Sequence, residues 1–415
     1  MGSSVSSDLV SLIQIPFTLI TLTGLDKKPW PKQTILENNA TYDYIVVGGG
    51  SAGCVVSSRL AEDMNHTVLM LEHGGNPPIS AMIAFLFDLL PSSFVDYNYT
   101  STRDEYAARS QNNYTMITAG KMLGGSDSLN HFIHLRGTPA DFNCWAKIAK
   151  DNSWKYENIL PYFKKSERVV DNEILSQYGE FHGTDGPMGL TRQPEKELID
   201  ILKSFAEVGN PTVLDLNADK HVGYTQPQYM LADKKRQTPA YVYLKPVKNN
   251  PNFHVSKHTK VTRIIFEGNV AVAVEAVYKG KTYTLRAKKE IILSAGVFNT
   301  PQLLMLSGIG PKEHLESFNI KTLKDLPVGD NMIDHVSVTM VHKMKKYLKP
   351  IPNLPAQLPN FVRFPFPTLA GSVAFNKSQT CPNYQTYNLF FAHDLPYLTF
   401  ACAIVFGLRD EICDR

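Results

Sequence analysis

The first clear pattern along the chain is a short apolar run, a cluster of glycines, a helical stretch and a second apolar run. Residues 44–47 (YIVV) are apolar and mostly β-branched, which is typical of a strand buried in a parallel sheet. Residues 48–53 (GGGSAG) follow, residues 52–61 have helical character, and residues 67–71 (TVLML) form the second run, which ends in Glu72. The pattern predicts a β-α-β unit.

The glycines of this unit have the spacing of a dinucleotide site. Gly48 lets the chain turn off the strand, Gly50 lets the backbone approach a pyrophosphate, and Gly53 lets the helix pack closely against the strands. The start of the helix offers N–H groups to phosphates, and the acid at the end of the second strand is placed to accept a hydrogen bond from a ribose hydroxyl. We predict a dinucleotide site made of Gly48, Gly50, Ser51, Ala52, Gly53 and Glu72. The alternative is a glycine-rich turn in an unrelated α/β domain.

A later series of apolar runs predicts a meander of strands followed by a helix. Residues 253–294 contain five strand-like runs, with turns at Gly268 and Gly280. Alternation in the middle runs favours antiparallel pairing, whereas residues 291–293 return to the buried parallel type. Residues 294–311 then have the pattern of a strand end, a helix with an apolar face and a glycine-rich stop.

Composition limits the number of domains and the kinds of partner. A chain of 415 residues suggests two or three domains, and a formal net charge of +3 gives no indication of nucleic acid or an anionic membrane as a partner. The five cysteines are odd in number and their spacing matches no metal site, so no metal is predicted. Cys54, in the helix of the β-α-β unit, suits a small buried thiol.

Three segments carry a resemblance to a known family. Residues 120–137 (GKMLGGSDSLNHFIHLRG) resemble the first signature of the glucose–methanol–choline (GMC) flavin oxidoreductases, residues 294–311 resemble the second, and residues 326–335 match the family's next block. The chain departs from the family pattern at Asp127, where Ser or Thr is usual, and at His134, where an aromatic residue is usual. The segment LNHFIHLRG and the sequence as a whole resemble the insect members of the family, which include glucose dehydrogenase-like and ecdysone oxidase-like proteins.

The resemblance implies an FAD cofactor and an α/β fold, with a Rossmann-like FAD-binding domain and an α+β substrate domain that is incomplete at the C-terminus. The implied order is a signal-like or N-terminal lead-in (1–39), two FAD-binding segments (40–150 and 241–340) and two substrate-domain segments (151–240 and a truncated 341–415). It also implies that further residues contact FAD, the last of them through its backbone at the adenine end: Met122, Gly125, Ser126, Asn130 and Val261.

The activity that the resemblance implies is oxidation of a small-molecule alcohol, such as a sugar or a steroid. A base takes the hydroxyl proton, the carbinol hydride passes to the flavin, and oxygen or a quinone-type acceptor reoxidises it. The family's catalytic histidine block has no counterpart in this sequence, so the catalytic residue is unknown. His131 and His134 are the only histidines near enough to the flavin-proximal motif to be named as a replacement base.

Other functions are compatible with parts of this pattern. The first is a catalytically inactive, truncated isoform or fragment, because the histidine block is absent. A hydroxynitrile-lyase-type member would use the same fold without redox chemistry, since fold alone does not fix the reaction. A nicotinamide dehydrogenase would explain the glycine motif but none of the three later motifs.

The N-terminal sequence is compatible with either a secretory or a cytoplasmic protein. Residues 9–23 are apolar but too short to span a bilayer, and they suit the core of a secretory signal or a packed N-terminal segment. Residues 1–6 also fit a myristoylation pattern. Five N-x-S/T sequons favour the secretory pathway over the cytoplasm, and they begin at Asn39, Asn65, Asn98, Asn113 and Asn376. We therefore expect an extracellular or secretory protein with no transmembrane span, with a cytoplasmic protein as the alternative.

Overall fold

The computed structural model describes residues 29–106, 108–335, 337–343, 368–376, 381–392 and 399–407. The chain divides into two compact units: unit 1 combines residues 1–131 with 237–333, and unit 2 combines residues 132–236 with 334–415. The apolar segment 9–23 lies outside the described residues, and so does the sequence after residue 407. Within the described ranges, no helix has the length and apolar character needed to cross a bilayer.

The strands are numbered in chain order. They are β1 (Thr41–Val47), β2 (Val68–Leu71), β3 (Tyr99–Thr100), β4 (Met116–Ile117), β5 (Ile133–His134), β6 (Glu167–Val169), β7 (Met188–Arg192), β8 (Gly223–Thr225), β9 (Gln228–Tyr229), β10 (Leu231–Ala232), β11 (Lys235–Arg236), β12 (Phe253–Ser256), β13 (Thr259–Glu267), β14 (Val270–Tyr278), β15 (Lys281–Leu293), β16 (Ile309–Gly310), β17 (Lys324–Asp325), β18 (Ser337–Lys343), β19 (Thr368–Val373), β20 (Tyr384–Ala392) and β21 (Thr399–Gly407).

The helices are shorter in total than the strands. The α-helices are α1 (Ser51–Ala61), α2 (Pro139–Ala149), α3 (Tyr156–Ser166), α4 (Asn172–Tyr178), α5 (Lys196–Glu207), α6 (Lys245–Val247), α7 (Gly296–Leu306) and α8 (Lys312–Ser317). Short 3-10 turns occupy Ile79–Met82, Ala84–Leu89, Arg109–Gln111, Gly125–Ser128, Asn152–Trp154 and Gly179–Phe181, and a π-helical turn occupies Ala240–Leu244.

Unit 1 is built on a six-stranded sheet in the order β12-β2-β1-β15-β14-β13. Strands β12, β2, β1 and the second half of β15 are parallel, and β13, β14 and the first half of β15 form an antiparallel meander. Both pairing types agree with the prediction made from the apolar runs. Apolar side chains of the central strands, such as Ile45 and Leu69, lie in a buried core with Leu303 of α7.

One strand is longer than the sequence indicates. The sequence predicts two separate strands within residues 282–293, but β15 is continuous from Lys281 to Leu293. Its first half pairs with β14 as far as Arg286, and its second half pairs with β1 as far as Leu293. Because each half is held by a different neighbour, the polar stretch in the middle does not interrupt the strand.

Unit 2 contains a five-stranded sheet in the order β18-β21-β20-β19-β8 and a four-stranded sheet in the order β5-β9-β7-β6. Helix α5 packs on the larger sheet through Leu198, which contacts Leu369, and through Phe205, whose ring stacks on Tyr224 at 3.9 Å between centroids. The sequence places the first domain boundary after residue 150, but the structure places it after residue 131. The reason is that β5 pairs with β9 of unit 2.

Candidate functional site

The glycine loop between β1 and α1 is fixed by close backbone contacts. Gly48 has a positive φ of 97°, and a Cβ added there would lie 2.4 Å from the carbonyl oxygen of Ser294. A Cβ on Gly53 would lie 1.9 Å from the carbonyl oxygen of Gly48. The fold itself therefore requires the first and third glycines of the motif.

The second glycine of the motif is different, because the fold does not require it. Gly50 has an ordinary extended backbone (φ −74°), and a Cβ there would meet only the Cα of Gly125, at 3.8 Å. Gly125 approaches from the other side with a φ of 55°, and the N–H of Gly124 donates to the carbonyl oxygen of Gly49 at 2.7 Å. The backbones of Gly50 and Gly125 are thus in contact with no side chain between them, and such a bare backbone surface allows the close approach of a pyrophosphate.

The start of α1 supplies donors for such a group. Gly50 occupies the N-cap position without a side-chain cap, and the first turn of α1 contains no acidic residue. The first backbone N–H groups of a helix have no partner within the helix and carry a partial positive charge. The first turn, Ser51–Gly53, therefore offers an anion site at the glycine loop.

Glu72 braces the loop from the end of β2. Its carboxylate is 6% exposed and accepts from the N–H of Gly49 at 2.7 Å and from the N–H of Gly74 at 2.6 Å. Burial raises the pKa of Glu72 to about 7, although hydrogen bonds from the two glycines oppose the rise. The sequence predicts only that Glu72 accepts a hydrogen bond from a ribose. The two hydrogen bonds from Gly49 and Gly74 are a second role. Each carboxylate oxygen has a second lone pair, so both roles are compatible.

The buried state of Glu72 predicts a pH dependence of the free energy of unfolding. A carboxyl whose pKa rises from 4.5 to about 7 on folding stabilises the fold fully only below pH 4.5, and this stability is lost as the pH rises through 7. The loss amounts to about 3 kcal/mol. Urea unfolding of the cofactor-free wild type and of Glu72→Gln measures this loss. Between pH 4.5 and 7.5 the free energy of unfolding of the wild type should fall by about 3 kcal/mol more than that of the variant. Parallel curves would show that the pKa of Glu72 is not raised in the folded protein.

The segment 120–130 lies against the glycine loop. Met122 is fully buried in a core cluster with Ala81 and Leu129, so its backbone rather than its side chain is available to a ligand. Ser126 is exposed, and its hydroxyl accepts from the N–H of Gly120 at 3.2 Å. These positions suit contacts made by the backbone and by one small hydroxyl.

The unusual carboxylate of Asp127 orients a predicted ligand residue. The side-chain amide of Asn130 donates to Asp127 Oδ1 at 2.9 Å.

Burial raises the pKa of the Cys54 thiol, and the charges of Glu72 and Asp127 add to the rise. Cys54 is thus the small buried thiol that the sequence predicts. The charge of Asp127 contributes to the electrostatic potential at this residue, which follows the glycine loop.

Val261 lies two residues beyond a backbone contact with Glu72. The N–H of Thr259, which opens β13, donates to the carbonyl oxygen of Glu72 at 2.8 Å. Val261 follows two residues later, half-buried and paired with Ala276 of β14. Unit 1 therefore brings together the glycine loop, the acid, the 120–130 segment and the start of β13, as a dinucleotide site requires.

The two candidate bases fall on opposite sides of the unit boundary. His131 belongs to unit 1, is exposed, and packs edge-on against Phe87 at 5.0 Å between ring centroids. His134 belongs to unit 2, and its Nε2 lies 3.2 Å from Oε1 of the buried Glu167. The imidazole of His134 is thus already engaged by a carboxylate.

Unit 2 contains a buried charge network that sequence reasoning missed. Glu167 forms a bidentate ion pair with Arg136, with atoms as close as 2.5 Å, and its Oε2 lies 3.1 Å from Nδ1 of His182. On its other side, His182 Nε2 lies 2.6 Å from Asp215 Oδ2. No motif in the sequence indicates a role for His182, but the residue is 3% exposed and lies between two carboxylates.

The network shifts the pKa values of Glu167 and His182 toward their charged forms. Burial alone would raise the pKa of Glu167, but hydrogen bonds from His134 and His182 and the charge of Arg136 hold it well below its usual range. Burial alone would lower the pKa of His182, but hydrogen bonds to Asp215 and Glu167 raise it instead. No local signal could have revealed this, because the paired residues are 15 to 33 positions apart in sequence.

The comparisons with known proteins agree with this geometry. The GMC oxidoreductase family model matches residues 42–337. The chain is 40% identical over 314 residues to ecdysone oxidase from Bombyx mori (74% of this chain, 47% of that protein), and 36% identical over 309 residues to glucose dehydrogenase [FAD, quinone] from Drosophila melanogaster (72% and 49%).

A solved structure shows the same fold. A variant of formate oxidase from Aspergillus oryzae superposes with a TM-score of 0.79 at 25% identity, covering 90% of this chain and 74% of the other. The chain spans about half the length of the curated relatives that it matches. The resemblance inferred from the glycine-rich segments is thus confirmed, and the chain belongs to the GMC oxidoreductase family.

Proposed function

We propose that this protein is an FAD-dependent oxidoreductase that acts on the CH–OH group of a small-molecule alcohol. The observation that carries the proposal is the glycine at position 50, which the fold does not require and which leaves the backbone at the start of α1 open to the close approach of a pyrophosphate. The family membership and the names of the relatives support it.

The residues of unit 1 have distinct roles in this proposal. The first turn of α1 holds the pyrophosphate, Glu72 accepts from the ribose, and the backbone of Val261 contacts the adenine end. Met122, Gly125, Ser126 and Asn130 lie along the rest of the cofactor. When bound, the flavin supplies the redox chemistry by accepting the carbinol hydride, while the protein supplies position and electrostatics.

His131 is the better of the two candidate bases. Its side chain is exposed and belongs to unit 1, which also contains the proposed flavin site, whereas His134 is half-buried and belongs to unit 2. A general base must reach the substrate hydroxyl within hydrogen-bond distance. His131→Asn should therefore slow flavin reduction by alcohol at least tenfold, and His134→Asn should act mainly on the stability of unit 2.

A cavity in unit 2 has the size and lining of a site for the alcohol. Its volume is about 320 Å³, within the usual range for small-molecule sites. Apolar and neutral polar side chains both contribute: Ile133, Leu135, Thr138, Leu216, His221, Ser372, Pro382, Gln385 and Tyr387. Such a lining suits a ligand with several hydroxyls on a carbon skeleton.

The charged side chains at this cavity are ion-paired or hydrogen-bonded within the protein, which favours a neutral substrate. Arg136 is neutralised by Glu167, and Asp141 accepts from the N–H and the hydroxyl of Thr138. Burial raises the pKa of Tyr387 to about 12 and lowers that of His221, so both are neutral at pH 7. We therefore propose a neutral hydroxylated alcohol, such as a sugar or steroid, in preference to a quaternary ammonium compound, for which an aromatic cage is the usual site.

An absorption spectrum followed by an alcohol titration tests the proposed function. We expect a two-banded flavin spectrum that survives desalting and bleaches without oxygen when a suitable sugar or steroid alcohol is added. Choline should bleach it more slowly. Comparing the rates of flavin reoxidation by oxygen and by a quinone identifies the electron acceptor, because the sequence leaves both possible. A flavin-free protein, or a flavin that no alcohol reduces, would contradict the proposal.

We also propose that the protein folds in the secretory pathway and is extracellular. Cys144 is disulfide-bonded, whereas Cys54 and Cys381 are free thiols. Structural disulfides form and persist in oxidising compartments and are rare in the cytosol. This bond, together with the sequons, supports the extracellular location over the cytoplasmic one.

A further inference from the structure

We propose that Asn39 and Asn65 carry N-linked oligosaccharides, whereas Asn98 and Asn113 do not. The sequence contains five sequons and gives no means of ranking them, but the structure does. The inference goes beyond the proposed redox function and rests on the secretory location proposed with it.

The two selected asparagines are exposed and their amides are uncommitted. Asn39 lies in the turn before β1 with a φ of 63°, and Asn65 lies between α1 and β2. Both residues are exposed, and in the described part of the chain neither side-chain amide makes a hydrogen bond; for Asn65 it is the backbone N–H that donates to Asp63. A sugar on either amide nitrogen would thus displace no contact.

The two rejected asparagines use the same nitrogen to hold loops. Nδ2 of Asn98 donates to the carbonyl oxygens of Ser93 and Asp96, both at 3.3 Å. Nδ2 of Asn113, which is half-buried, donates to the carbonyl oxygen of Asp104 at 2.7 Å. A glycosidic bond replaces one of the two amide hydrogens, so it would break or crowd these contacts.

Asn376 is exposed too, but the rest of its sequon lies outside the described residues.

The selected positions also keep a glycan away from the proposed cofactor site. Asn39 precedes β1 and Asn65 precedes β2, so both lie at the amino ends of two parallel strands. The glycine loop follows the carboxyl end of β1. A strand of seven residues spans roughly 20 Å, so oligosaccharides at these positions leave the glycine loop and the start of α1 accessible.

The chemistry is the ordinary transfer of an oligosaccharide from a lipid-linked donor. The amide nitrogen forms a bond to the anomeric carbon of the donor sugar, and the bond from that carbon to the lipid diphosphate oxygen breaks. The lipid diphosphate leaves, and the nitrogen loses one proton. No group is oxidised or reduced, and the co-substrate is a polyprenyl-diphosphate oligosaccharide.

The test is secretion of the full chain, with its own N-terminus, from insect cells. Enzymatic release of N-glycans in heavy-oxygen water converts each modified asparagine to a labelled aspartate that peptide mass spectrometry locates. We expect the label at Asn39 and Asn65. Each of the variants Asn39→Gln and Asn65→Gln should run faster on a gel by the apparent mass of one glycan. Asn38→Gln is the matched control, since Asn38 is exposed and adjacent but begins no sequon.

A thiol-labelling assay separates the two proposals that this experiment touches. Cys144 should react with a maleimide only after reduction. If Cys144 is oxidised but residues 39 and 65 carry no label, or if the label falls on Asn98 or Asn113, the glycan assignment is wrong and the secretory location stands. If Cys144 is a free thiol and no glycan is found, both are wrong. The flavin spectrum and alcohol titration are read independently, so neither result bears on the redox function.

Discussion

Replacing Gly50 with alanine should leave the fold of the protein intact and remove its flavin. The backbone at Gly50 is extended, and the new methyl group would meet only the Cα of Gly125 at 3.8 Å, which is an ordinary contact. The same methyl group would occupy the face at which the pyrophosphate approaches. We expect the melting temperature of the cofactor-free protein to be unchanged and the affinity for FAD to fall at least tenfold, or by at least about 1.4 kcal/mol.

Two other glycines provide the controls for this experiment. Gly53→Ala would place a methyl group 1.9 Å from the backbone oxygen of Gly48, so it should lower the stability itself, by about 1–3 kcal/mol or more. Gly179→Ala meets nothing within 4 Å and should change neither quantity. Equilibrium dialysis of FAD and thermal unfolding measure the two effects separately. A Gly50→Ala protein that stays fully yellow would show that the dinucleotide does not lie across this glycine.

The β-α-β unit could be predicted because its signals are local. Residues 44–72 contain the strand, the glycine spacing, the helix and the acid within thirty positions, and the structure places them as β1, α1 and β2 with boundaries shifted by a few residues. Buried parallel strands are recognisable because both their faces are apolar. The scaffold of the proposed site in unit 1 was therefore largely predictable from the sequence.

The function of Glu72 shows what a local signal leaves out. Its position at the end of β2 predicts a ribose acceptor, but its carboxylate also binds the N–H groups of Gly49 and Gly74. Those contacts depend on how the loop folds back over the strand. Likewise β15 is one strand because β1 and β14 hold its two halves, and sequence periodicity contains no information on either neighbour.

The charge network in unit 2 could not have been predicted from residue spacing. Arg136, Glu167, His182 and Asp215 come from four separate segments, and each alone resembles an exposed polar residue. Only the tertiary fold brings them together in a buried place where charges must be paired. The same holds for the cavity beside Arg136, which β5, β19 and β20 form jointly.

Replacing Glu167 with glutamine should destabilise unit 2 by about 3–5 kcal/mol, because it leaves the buried Arg136 and His182 without their shared counter-charge. The side chains of Glu167 and His182 are fully buried and that of Arg136 nearly so, so water cannot replace the lost carboxylate. Urea unfolding followed by the fluorescence of Trp145 and Trp154, which belong to the same unit, measures the change.

Glu173→Gln is the matched control in the same unit. Glu173 also pairs with an arginine, Arg192, at 2.6 Å, but its side chain is 58% exposed and Arg192 keeps Asp171 as a second partner. Exposed ion pairs contribute about 0–1 kcal/mol, so this variant should stay within that range. Equal losses in the two variants would show that burial does not give the Glu167 pair its importance.

The pH dependence of the Glu167→Gln effect identifies the charges involved. The pKa of Glu167 is held low, so its contribution to stability is present above pH 4.5 and lost as the pH falls through its folded pKa. The pKa of His182 is raised, so its contribution is present below pH 6.5 and lost as the pH rises through its folded pKa. The difference in stability between wild type and variant should therefore be widest from about pH 5 to pH 6.5, and narrower once the pH has risen through the folded pKa of His182, where Arg136 still carries its positive charge. A gap that does not change with pH would mean that His182 is neutral in the fold, and that Glu167 acts on Arg136 alone.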